Sequence, residues 1–267
     1  YTCLRRHPGL VVLHDYIYFS FFIGLTLAKG DSRGFRDIMQ YCYGADGLNE
    51  ADKVVSGSDD YFRYSMIKRI ADFSIGVVVH SEYCRRQILQ EVPAVNIKKI
   101  PMGIEVTNPS RSSKRELRKK YGFNDNEFLF ASFGMMSPHK RIDVILRTFA
   151  RCKHLCPGVK YLLVGELPQN SVINDLIDEL NLQSDVVQVG FVDDNSFQDY
   201  LSITDVCITL RYPSAGETSS ALLRAMEAGK AVIISNYAQF GEYPDDSVVK
   251  VDIGPHEIGR ASCRERV

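Results

Sequence analysis

The segment from Gly216 to Ile234 reads GETSSALLRAMEAGKAVII, and it begins with a polar turn that contains a carboxylate and several hydroxyl groups. An amphipathic helical pattern follows this turn and stops at Gly229. The N-terminus of a helix carries partial positive charge and unpaired N–H groups, so it can bind a phosphate or a diphosphate. The carboxylate of Glu217 beside it can accept hydrogen bonds from sugar hydroxyls. The turn therefore predicts a ligand that carries both phosphate and sugar.

The composition is that of a globular protein with little net charge. Of the 267 residues, 45% are hydrophobic and 24% are charged, and the formal net charge is -1. This balance gives no support for non-specific nucleic-acid binding, so we expect no nucleic-acid partner. No apolar run reaches the roughly 20 residues that a membrane-spanning helix needs. We interpret the most apolar stretch, Tyr16 to Ala28, as a buried helix; the alternative is contact with a lipid-linked substrate. We expect at most peripheral membrane contact.

The seven cysteines do not form a Cys-x-x-Cys motif. Cys152 and Cys156 flank His154, but no second pair of metal ligands follows, so a metal site is the weaker hypothesis. Paired aspartates at 59–60 and 193–194 precede helical patterns, and we interpret them as helix caps. We therefore expect reduced thiols, a cytoplasmic location and no metal ion.

Both ends of the sequence depart from the pattern between them. The chain begins at Tyr1, shortly before a predicted strand, so we expect that further residues precede it. Residues 257–267 read EIGRASCRERV, and one choice of codons for this string reproduces a common sequencing adapter. We interpret these residues as adapter read-through and exclude them from the fold prediction; the alternative is a basic surface helix. In this interpretation the natural sequence is lost near His256.

Short runs rich in Val, Ile and Leu alternate with helical patterns along the rest of the chain. Apolar runs without clean alternation are typical of strands that are buried on both faces of a parallel sheet. The predicted strands are 10–14, 75–80, 97–100, 128–133, 160–164, 186–189, 206–210, 231–235 and 248–251. The predicted helices are 81–91, 114–121, 141–153, 172–180, 196–203 and 220–228. This alternation predicts an α/β fold with doubly wound parallel sheets.

A segment rich in Pro, Asn and Ser interrupts this alternation near residues 101–113. We therefore predict one domain at residues 1–103, which is only partly present, and a second domain at residues 104–256. Ligands of doubly wound sheets bind at the carboxyl ends of the strands, so the loops after the strands of the second domain are the expected site. The sequences of these loops are GMMSPHKR, GELPQNS, GFVDDNS, RYPSAGETSS and NYAQFGE.

These loops, in this order, resemble the donor-binding half of GT-B glycosyltransferases, and most of all glycosyltransferase family 4, the retaining group that builds bacterial polysaccharides. In the first half of the chain, HPGLVVLHDY, IGVVVHSEYCRRQI and IKKIPMGIEV resemble the same family. The resemblance covers the chain from Pro8 to about Asp252. It implies two Rossmann-like domains, the first on the acceptor side and the second binding a nucleotide-diphosphate sugar donor.

The resemblance implies that Lys140 neutralises the diphosphate of the donor. A leaving nucleoside diphosphate gains negative charge as the glycosidic bond breaks, and a fixed ammonium with a helix N-terminus can replace a metal ion there. We therefore expect no cofactor. The alternative is a solvated lysine at a helix start. Many family members carry arginine directly after Gly134, whereas this chain has Met135. The second cation is therefore absent or supplied by Arg141 or Arg211.

Glu217 matches the first glutamate of the two-glutamate signature of the family, which lies against the donor sugar; we predict Glu217 and Lys140 as catalytic residues. The second glutamate, which holds ribose hydroxyls, corresponds to Ala225 in this chain. Arg224 and Glu227 are the polar residues nearby, so the ribose contact stays open. The alternative for Glu217 is a carboxylate that the helix dipole favours.

The resemblance implies further donor-binding residues in these loops. Ser219 and Ser220 present N–H groups and hydroxyls to the phosphates, or they only cap the helix. Gly134 lets the diphosphate approach closely, or it is a plain turn glycine. Glu242 contacts the donor, or it only caps a helix. The remaining predicted donor-binding residues are Gly216, Thr218 and Arg141.

On the acceptor side, His14 and Asp15 end the first predicted strand in LHDY. They either contact the acceptor or form a buried hydrogen-bonded pair. His80 ends the next strand, and we interpret it as structural.

The sequence therefore predicts a hexosyltransferase-type enzyme that moves a sugar, with retention, from a nucleotide-sugar donor to a carbohydrate or lipid-linked acceptor, as in the synthesis of polysaccharide or glycolipid precursors. We expect a cytoplasmic protein, with the inner face of the membrane as its only membrane contact. The resemblance implies no protein nucleophile, because the leaving phosphate helps to deprotonate the acceptor hydroxyl. The alternatives are a related nucleotide-sugar epimerase and a catalytically inactive GT-B binding module.

Overall fold

The structure is a computed structural model. The residues that it describes are 1–57, 62–105, 112–168 and 172–254. The predicted adapter segment at 257–267 and the predicted cap at 59–60 lie outside these ranges. Within them, no helix combines the length and the apolar character that crossing a membrane requires.

The chain folds into two compact units. Unit 1 comprises Tyr1–Gly103 together with Pro213–Thr218, and unit 2 comprises Ile104–Tyr212 and the chain from Ser219 onward. The first change of unit falls at the predicted position after Gly103. The predicted second domain included residues 213–218, however, and the structure groups this short segment with unit 1.

Unit 1 contains a three-stranded parallel sheet with the order β1-β2-β3. Its strands are β1 (Leu10–Val12), β2 (Gly76–Val79) and β3 (Ile97–Lys99), each within a predicted range. Its helices are α1 (Thr2–Arg6), α2 (Phe19–Leu25), α3 (Ser32–Val55), α4 (Lys68–Ala71) and α5 (Glu82–Glu91). In α2, Phe19 and Phe22 are fully buried, as the core interpretation of residues 16–28 requires, whereas Phe21 and Leu25 are exposed.

The long helix α3 was absent from the sequence-based prediction. Gly44 lies inside it with a φ of 64°, so the helical backbone is interrupted there. The buried residues before the interruption include Phe35 and Met39, and those after it are Gly47 and Ala51. Because the kink and the small residues break the apolar spacing, no single 3.6-residue pattern spans the helix.

Unit 2 contains a six-stranded parallel sheet with the order β6-β5-β4-β7-β8-β9. Its strands are β4 (Phe128–Phe133), β5 (Val159–Val164), β6 (Val186–Gly190), β7 (Val206–Thr209), β8 (Ala231–Ser235) and β9 (Val249–Val251). Numbered within the unit, this order is 3-2-1-4-5-6, which is the doubly wound arrangement of dinucleotide-binding domains. The predicted α/β fold class is confirmed. The strand order reverses between β4 and β7, and ligands of such sheets bind at that point.

Helices cover both faces of the sheet in unit 2. They are α6 (Lys114–Lys120), α7 (Ile142–Cys152), α8 (Ile173–Glu179), α9 (Asp194–Ile203) and α10 (Ser220–Glu227). Leu162 of β5 shares a core with Leu222 of α10, whereas the next residue, Leu163, shares a second core with Leu146 of α7. Successive strand residues are thus buried on opposite faces, which explains the continuous apolar runs in the sequence.

Candidate functional site

Two glycines bring the carboxyl ends of β4 and β5 into close contact. The N–H of Gly134 donates to the carbonyl of Val164 at 2.8 Å. Gly165 has a φ of 146°, and a Cβ at this position would lie 2.3 Å from the carbonyl oxygen of Gly134. Because that neighbour is backbone, it cannot move aside easily. Glycine at position 165 is therefore required for the two strand ends to meet.

We expect Gly165→Ala to destabilise the protein more than Gly190→Ala. Both glycines have positive φ, but a Cβ at Gly190 would meet no atom within 4 Å. Alanine should cost about 1–2 kcal/mol in the left-handed backbone of Gly190 and about 1–3 kcal/mol at the φ of 146° of Gly165. Gly165→Ala should cost a further ~1–3 kcal/mol for overpacking. Urea unfolding of both variants measures the difference, and equal losses would contradict the close contact.

Lys140 is a buried cation at the end of β4. It ends the 3-10 turn Pro138–Lys140, and its Nζ donates to the carbonyl of Phe133. This Nζ lies 3.0 Å from the place that a Cβ on Gly134 would occupy, so glycine at 134 leaves room for the ammonium. Lys140 is only 9% exposed. The alternative of a solvated lysine is therefore wrong.

Arg211 supplies a second buried cation at the end of β7. It is 8% exposed, and its backbone N–H donates to Ser235 Oγ of β8 at 2.9 Å. Burial, together with the positive charge of Arg211, lowers the pKa of Lys140 to about 7. Two cations thus lie where the strand order reverses. Because a nearby negative charge stabilises the charged form of a buried ammonium, this place is suited to an anion.

The geometry distinguishes Arg141 from Arg211. Arg141 has a left-handed backbone, with a φ of 56°, at the N-cap of α7. Its guanidinium lies over the ring of Tyr212, at 5.6 Å from the centroid. Met135, where the family pattern has arginine, is 61% exposed. Of the two arginines that the sequence offered, Arg211 is the one whose charge acts on Lys140. The donor-binding role of Arg141 stays a prediction.

The N-terminus of α10 has the predicted capped form. Ser219 is the N-cap, and its buried Oγ accepts a hydrogen bond from the N–H of Leu222 at 3.2 Å. Ser220 is the exposed first residue of the helix. A capping role for Ser219 is compatible with phosphate binding by the helix N-terminus, which stays a prediction.

Ala225, at the position of the second glutamate of the family signature, is buried in the core. Ala225 is 1% exposed. Its neighbour Arg224 is already engaged, because it pairs with Asp194 at 3.1 Å and lies 3.9 Å from the ring centroid of Phe197. The structure therefore offers no direct replacement for the ribose-binding glutamate at Ala225 or Arg224.

Two acidic candidates are resolved as follows. The side chain of Asp193 caps α9 and accepts a hydrogen bond from the N–H of Ser196 at 2.7 Å, so the predicted capping is confirmed. Glu242 is exposed and ends a 3-10 turn that begins at Ala238, so it does not cap a helix N-terminus.

Over the described ranges, no group of three or more His, Cys, Asp or Glu side chains could hold a metal ion.

The predicted catalytic residue Glu217 belongs to unit 1, in the segment Pro213–Thr218. Its Oε2 accepts hydrogen bonds from Ala215 N–H and Ser214 Oγ, both at 2.9 Å. Ser214 Oγ in turn accepts the N–H of Gly216 at 3.1 Å. These bonds close residues 214–217, which we name the Glu217 turn, and they orient its carboxylate. The adjacent Thr218 is half-buried.

The acceptor-side candidates lie at the carboxyl end of β1. His14 and Asp15 are both exposed, so the alternative of a buried His–Asp pair is wrong. The ring of His14 lies 5.2 Å from that of His80, and His80 Nδ1 is 2.8 Å from the carbonyl oxygen of Ile100. The hydrogen bond supports the structural interpretation of His80. Acceptor contact by His14 and Asp15 stays a prediction.

An apolar groove of about 370 Å³ also lies on the sheet of unit 2. Its lining includes Phe130 of β4, Ile208 of β7, Ile233 of β8 and Phe149 of α7. It has no charged side chain in its lining. A diphosphate could not be compensated there, so we do not assign the groove to the ligand.

The chain is similar in sequence to known proteins. Residues 113–258, more than half of the chain, match the family of glycosyl transferases group 1. A lipopolysaccharide 1,2-N-acetylglucosaminetransferase of Salmonella typhimurium is 22% identical over 190 residues, which cover 67% of this chain and 49% of the relative. An alpha-monoglucosyldiacylglycerol synthase of Streptococcus pneumoniae is 27% identical over 164 residues, which cover 59% of this chain and 36% of the relative. The chain therefore spans half or less of the length of these relatives.

Solved structures show the same fold at low sequence identity. Anabaena HepE, in complex with UDP and glucose, aligns with a TM-score of 0.66 and 19% identity over 98% of this chain and 63% of its own. Sucrose-phosphate synthase from Thermosynechococcus elongatus aligns with a TM-score of 0.62 and 20% identity over 96% of this chain and 57% of its own. The fold is GT-B, with Rossmann-like parallel sheets. With a family match that includes Lys140, Arg211 and α10, the chain belongs to the glycosyl transferases group 1 family.

Proposed function

We propose that the protein is a retaining, family 4 glycosyltransferase that moves a hexosyl group from a nucleotide-diphosphate sugar to an acceptor hydroxyl. One observation carries this proposal: Lys140 and Arg211 are buried together at the carboxyl ends of β4 and β7. A diphosphate there would accept hydrogen bonds from both side chains, and these bonds are strong because both partners are charged. Membership in the family supports glycosyl transfer as the reaction, and the similar Anabaena structure contains UDP.

In the proposed reaction, the bond between the anomeric carbon of the sugar and the diphosphate oxygen breaks. A bond from that carbon to the acceptor oxygen forms on the same face, and the acceptor proton passes to the leaving phosphate. Lys140, Arg211 and the N-terminus of α10 stabilise the charge that develops on the diphosphate, in place of a metal ion. Glu217, oriented by the bonds within its turn, supports the donor sugar.

The acceptor that we propose is a carbohydrate or a lipid-linked carbohydrate, as in the synthesis of polysaccharide or glycolipid precursors. The names of the two relatives support this class, since one acts on lipopolysaccharide and the other makes a glycolipid. We propose a cytoplasmic location, with peripheral contact at the inner face of a membrane as the means of reaching a lipid-linked acceptor.

The proposal is tested by titrating the 267-residue chain with UDP, ADP, GDP, CDP and dTDP at pH 7 in the presence of EDTA. Calorimetry and thermal shift serve as readouts. One of these nucleotides should stabilise the protein by about 2.7 kcal/mol at a hundredfold excess over its Kd. Lys140→Met should abolish this stabilisation, because it removes one of the two buried charges. Absence of binding by every nucleotide, or equal binding by Lys140→Met, would refute the proposal.

Lys230→Met is the matched control for Lys140→Met. Lys230 is also partly buried in unit 2, and burial lowers its pKa. Its Nζ donates to the carbonyls of Ser202 and Thr204, at 2.8 and 3.0 Å. It precedes β8 and therefore lies at the amino end of the sheet, away from the strand ends that bind ligands. Lys230→Met should bind the nucleotide as the unmodified protein does.

A catalytically inactive binding module is the second candidate, because Met135 and Ala225 occupy positions where the family pattern has arginine and glutamate. Release of nucleoside diphosphate from a nucleotide sugar separates the two functions. An enzyme releases the diphosphate and slows when Glu217 is replaced by alanine, whereas a binding module retains the donor intact.

A further inference from the structure

We propose that Cys84 and Tyr16 are positioning residues that hold the Glu217 turn in place. The inference rests on the proposed role of Glu217 in supporting the donor sugar. All the contacts that carry it lie within unit 1, which contains Tyr1–Gly103 and Pro213–Thr218.

Cys84 binds the turn through its thiol. It lies in the first turn of α5, where its N–H donates to the Oγ of the N-cap Ser81 at 3.1 Å. Its Sγ donates to the carbonyl of Gly216 at 3.1 Å, and Cys84 is 4% exposed. The cap fixes the backbone of Cys84, so the thiol is presented to Gly216 from a rigid helix end.

Tyr16 contacts Ala215, the residue before Gly216, through the backbone N–H of Tyr16. Its N–H donates to the carbonyl of Ala215 at 2.8 Å. Its ring packs edge-to-face on Tyr83 of α5, with 5.8 Å between the centroids. Tyr83 directly precedes Cys84, so the two positioning residues are also held against each other.

Gly216 makes this contact possible. It has a φ of 82°, and a Cβ there would lie 2.4 Å from Cys84 Sγ and 2.7 Å from Tyr16 Cδ1. The backbone of the turn therefore approaches both side chains more closely than any other residue type would allow.

The Glu217 turn is held both by hydrogen bonds from Tyr16 and Cys84 and by hydrogen bonds among its own residues. The carbonyls of Ala215 and Gly216 accept bonds from Tyr16 and Cys84, and their N–H groups donate to Glu217 and Ser214. A carboxylate on such a turn is preorganised, because few alternative conformations compete with the bound one. Loss of the thiol should therefore loosen the turn and weaken what Glu217 does.

The experiment compares Cys84→Ala, Cys84→Ser and Cys42→Ala in the 267-residue chain. Cys42 is the matched control, because it is a half-buried thiol of unit 1 whose Sγ lies 3.9 Å from the carbonyl of Met66. One readout is hydrogen exchange of the peptide that contains residues 213–218. The other is the ratio of the Kd for the nucleoside diphosphate to the Kd for the corresponding nucleotide sugar, which isolates binding of the sugar.

We expect Cys84→Ala to accelerate exchange at the Glu217 turn and to lower the affinity ratio about five- to tenfold, the effect of one lost hydrogen bond. Cys84→Ser keeps a donor and should restore most of the ratio, and Cys42→Ala should change neither readout. In a Glu217→Ala background, Cys84→Ala should have no further effect on the ratio.

Unchanged exchange in Cys84→Ala, or an equal effect of Cys42→Ala, would overturn the inference. So would an additive loss in the Glu217→Ala background. Failure of the proposed function has a different signature, since the chain would bind no nucleoside diphosphate, while hydrogen exchange would still report whether Cys84 orders the turn.

Discussion

Replacing Arg211 with methionine should weaken nucleoside diphosphate binding about 100-fold or more at pH 7, since each charge-assisted hydrogen bond to a phosphate contributes roughly 1.5–3 kcal/mol. Arg211 is 8% exposed, so water would compensate little of the loss. Isothermal titration calorimetry with the best-binding nucleotide measures the effect.

The control for this variant is Arg147→Met. Arg147 lies on α7 of the same unit, is exposed, and pairs with Glu179 at 3.4 Å. Exposed ion pairs contribute little to stability, so this variant should keep both fold and affinity. If Arg211→Met bound the nucleotide within a few-fold of the unmodified protein, the second cation of the proposed site would be misassigned.

Nucleotide binding should take up a proton above pH 7. Burial and Arg211 lower the pKa of Lys140 to about 7, so at pH 8 most unliganded molecules carry a neutral amine at this position. A bound diphosphate favours the ammonium and raises this pKa. Affinity should therefore fall as the pH rises, by up to about tenfold per pH unit between roughly 7.5 and 9.

Calorimetry in buffers of different ionisation enthalpy, such as HEPES and Tris, measures the number of protons taken up per nucleotide bound. We expect close to one proton taken up at pH 8 and much less at pH 6, where Lys140 is already charged. Lys140→Arg keeps a charge that does not titrate, so it should bind without proton uptake. Equal uptake in the unmodified protein and in Lys140→Arg would show that another group titrates.

In the unliganded protein, the lowered pKa of Lys140 makes the free energy of unfolding increase with pH. The unfolded chain binds a proton at Lys140 more tightly than the folded chain does. The unfavourable charge is therefore fully present below pH 7 and is relieved as the pH rises from 7 toward 10.5. The free energy of unfolding of the unmodified protein should accordingly rise over this range relative to that of Lys140→Met.

Local sequence patterns were sufficient to predict the strands and α-helices of unit 2. Its strands are apolar runs because both faces are buried, and glycine or polar residues mark their ends. Arg211 as the second cation was only one of three alternatives, because its proximity to Lys140 depends on β4 and β7 being neighbours in the sheet. The residues near Lys140 do not indicate that β4 and β7 are adjacent. Only the strand order 3-2-1-4-5-6 brings these two strands together.

The environment of Glu217 was even less accessible from the sequence. The polar turn and the helix after it predicted its chemistry, but they did not predict that the turn belongs to unit 1. The thiol of Cys84 reaches the carbonyl of Gly216 across 132 residues of chain. Neither residue type suggests a partner by itself. Tyr16 binds Ala215 through its backbone N–H, which is common to nearly all residue types, so its identity as tyrosine does not predict this contact.

The short segment Pro213–Thr218 also has a consequence for chimeric enzymes. A chimera of two related enzymes that exchanges whole domains has a single junction between them. Here such an exchange after Gly103 would import a foreign version of residues 213–218 and place it against the native Tyr16 and Cys84. A hybrid with three junctions, which keeps 213–218 from the same parent as residues 1–103, would preserve these partners.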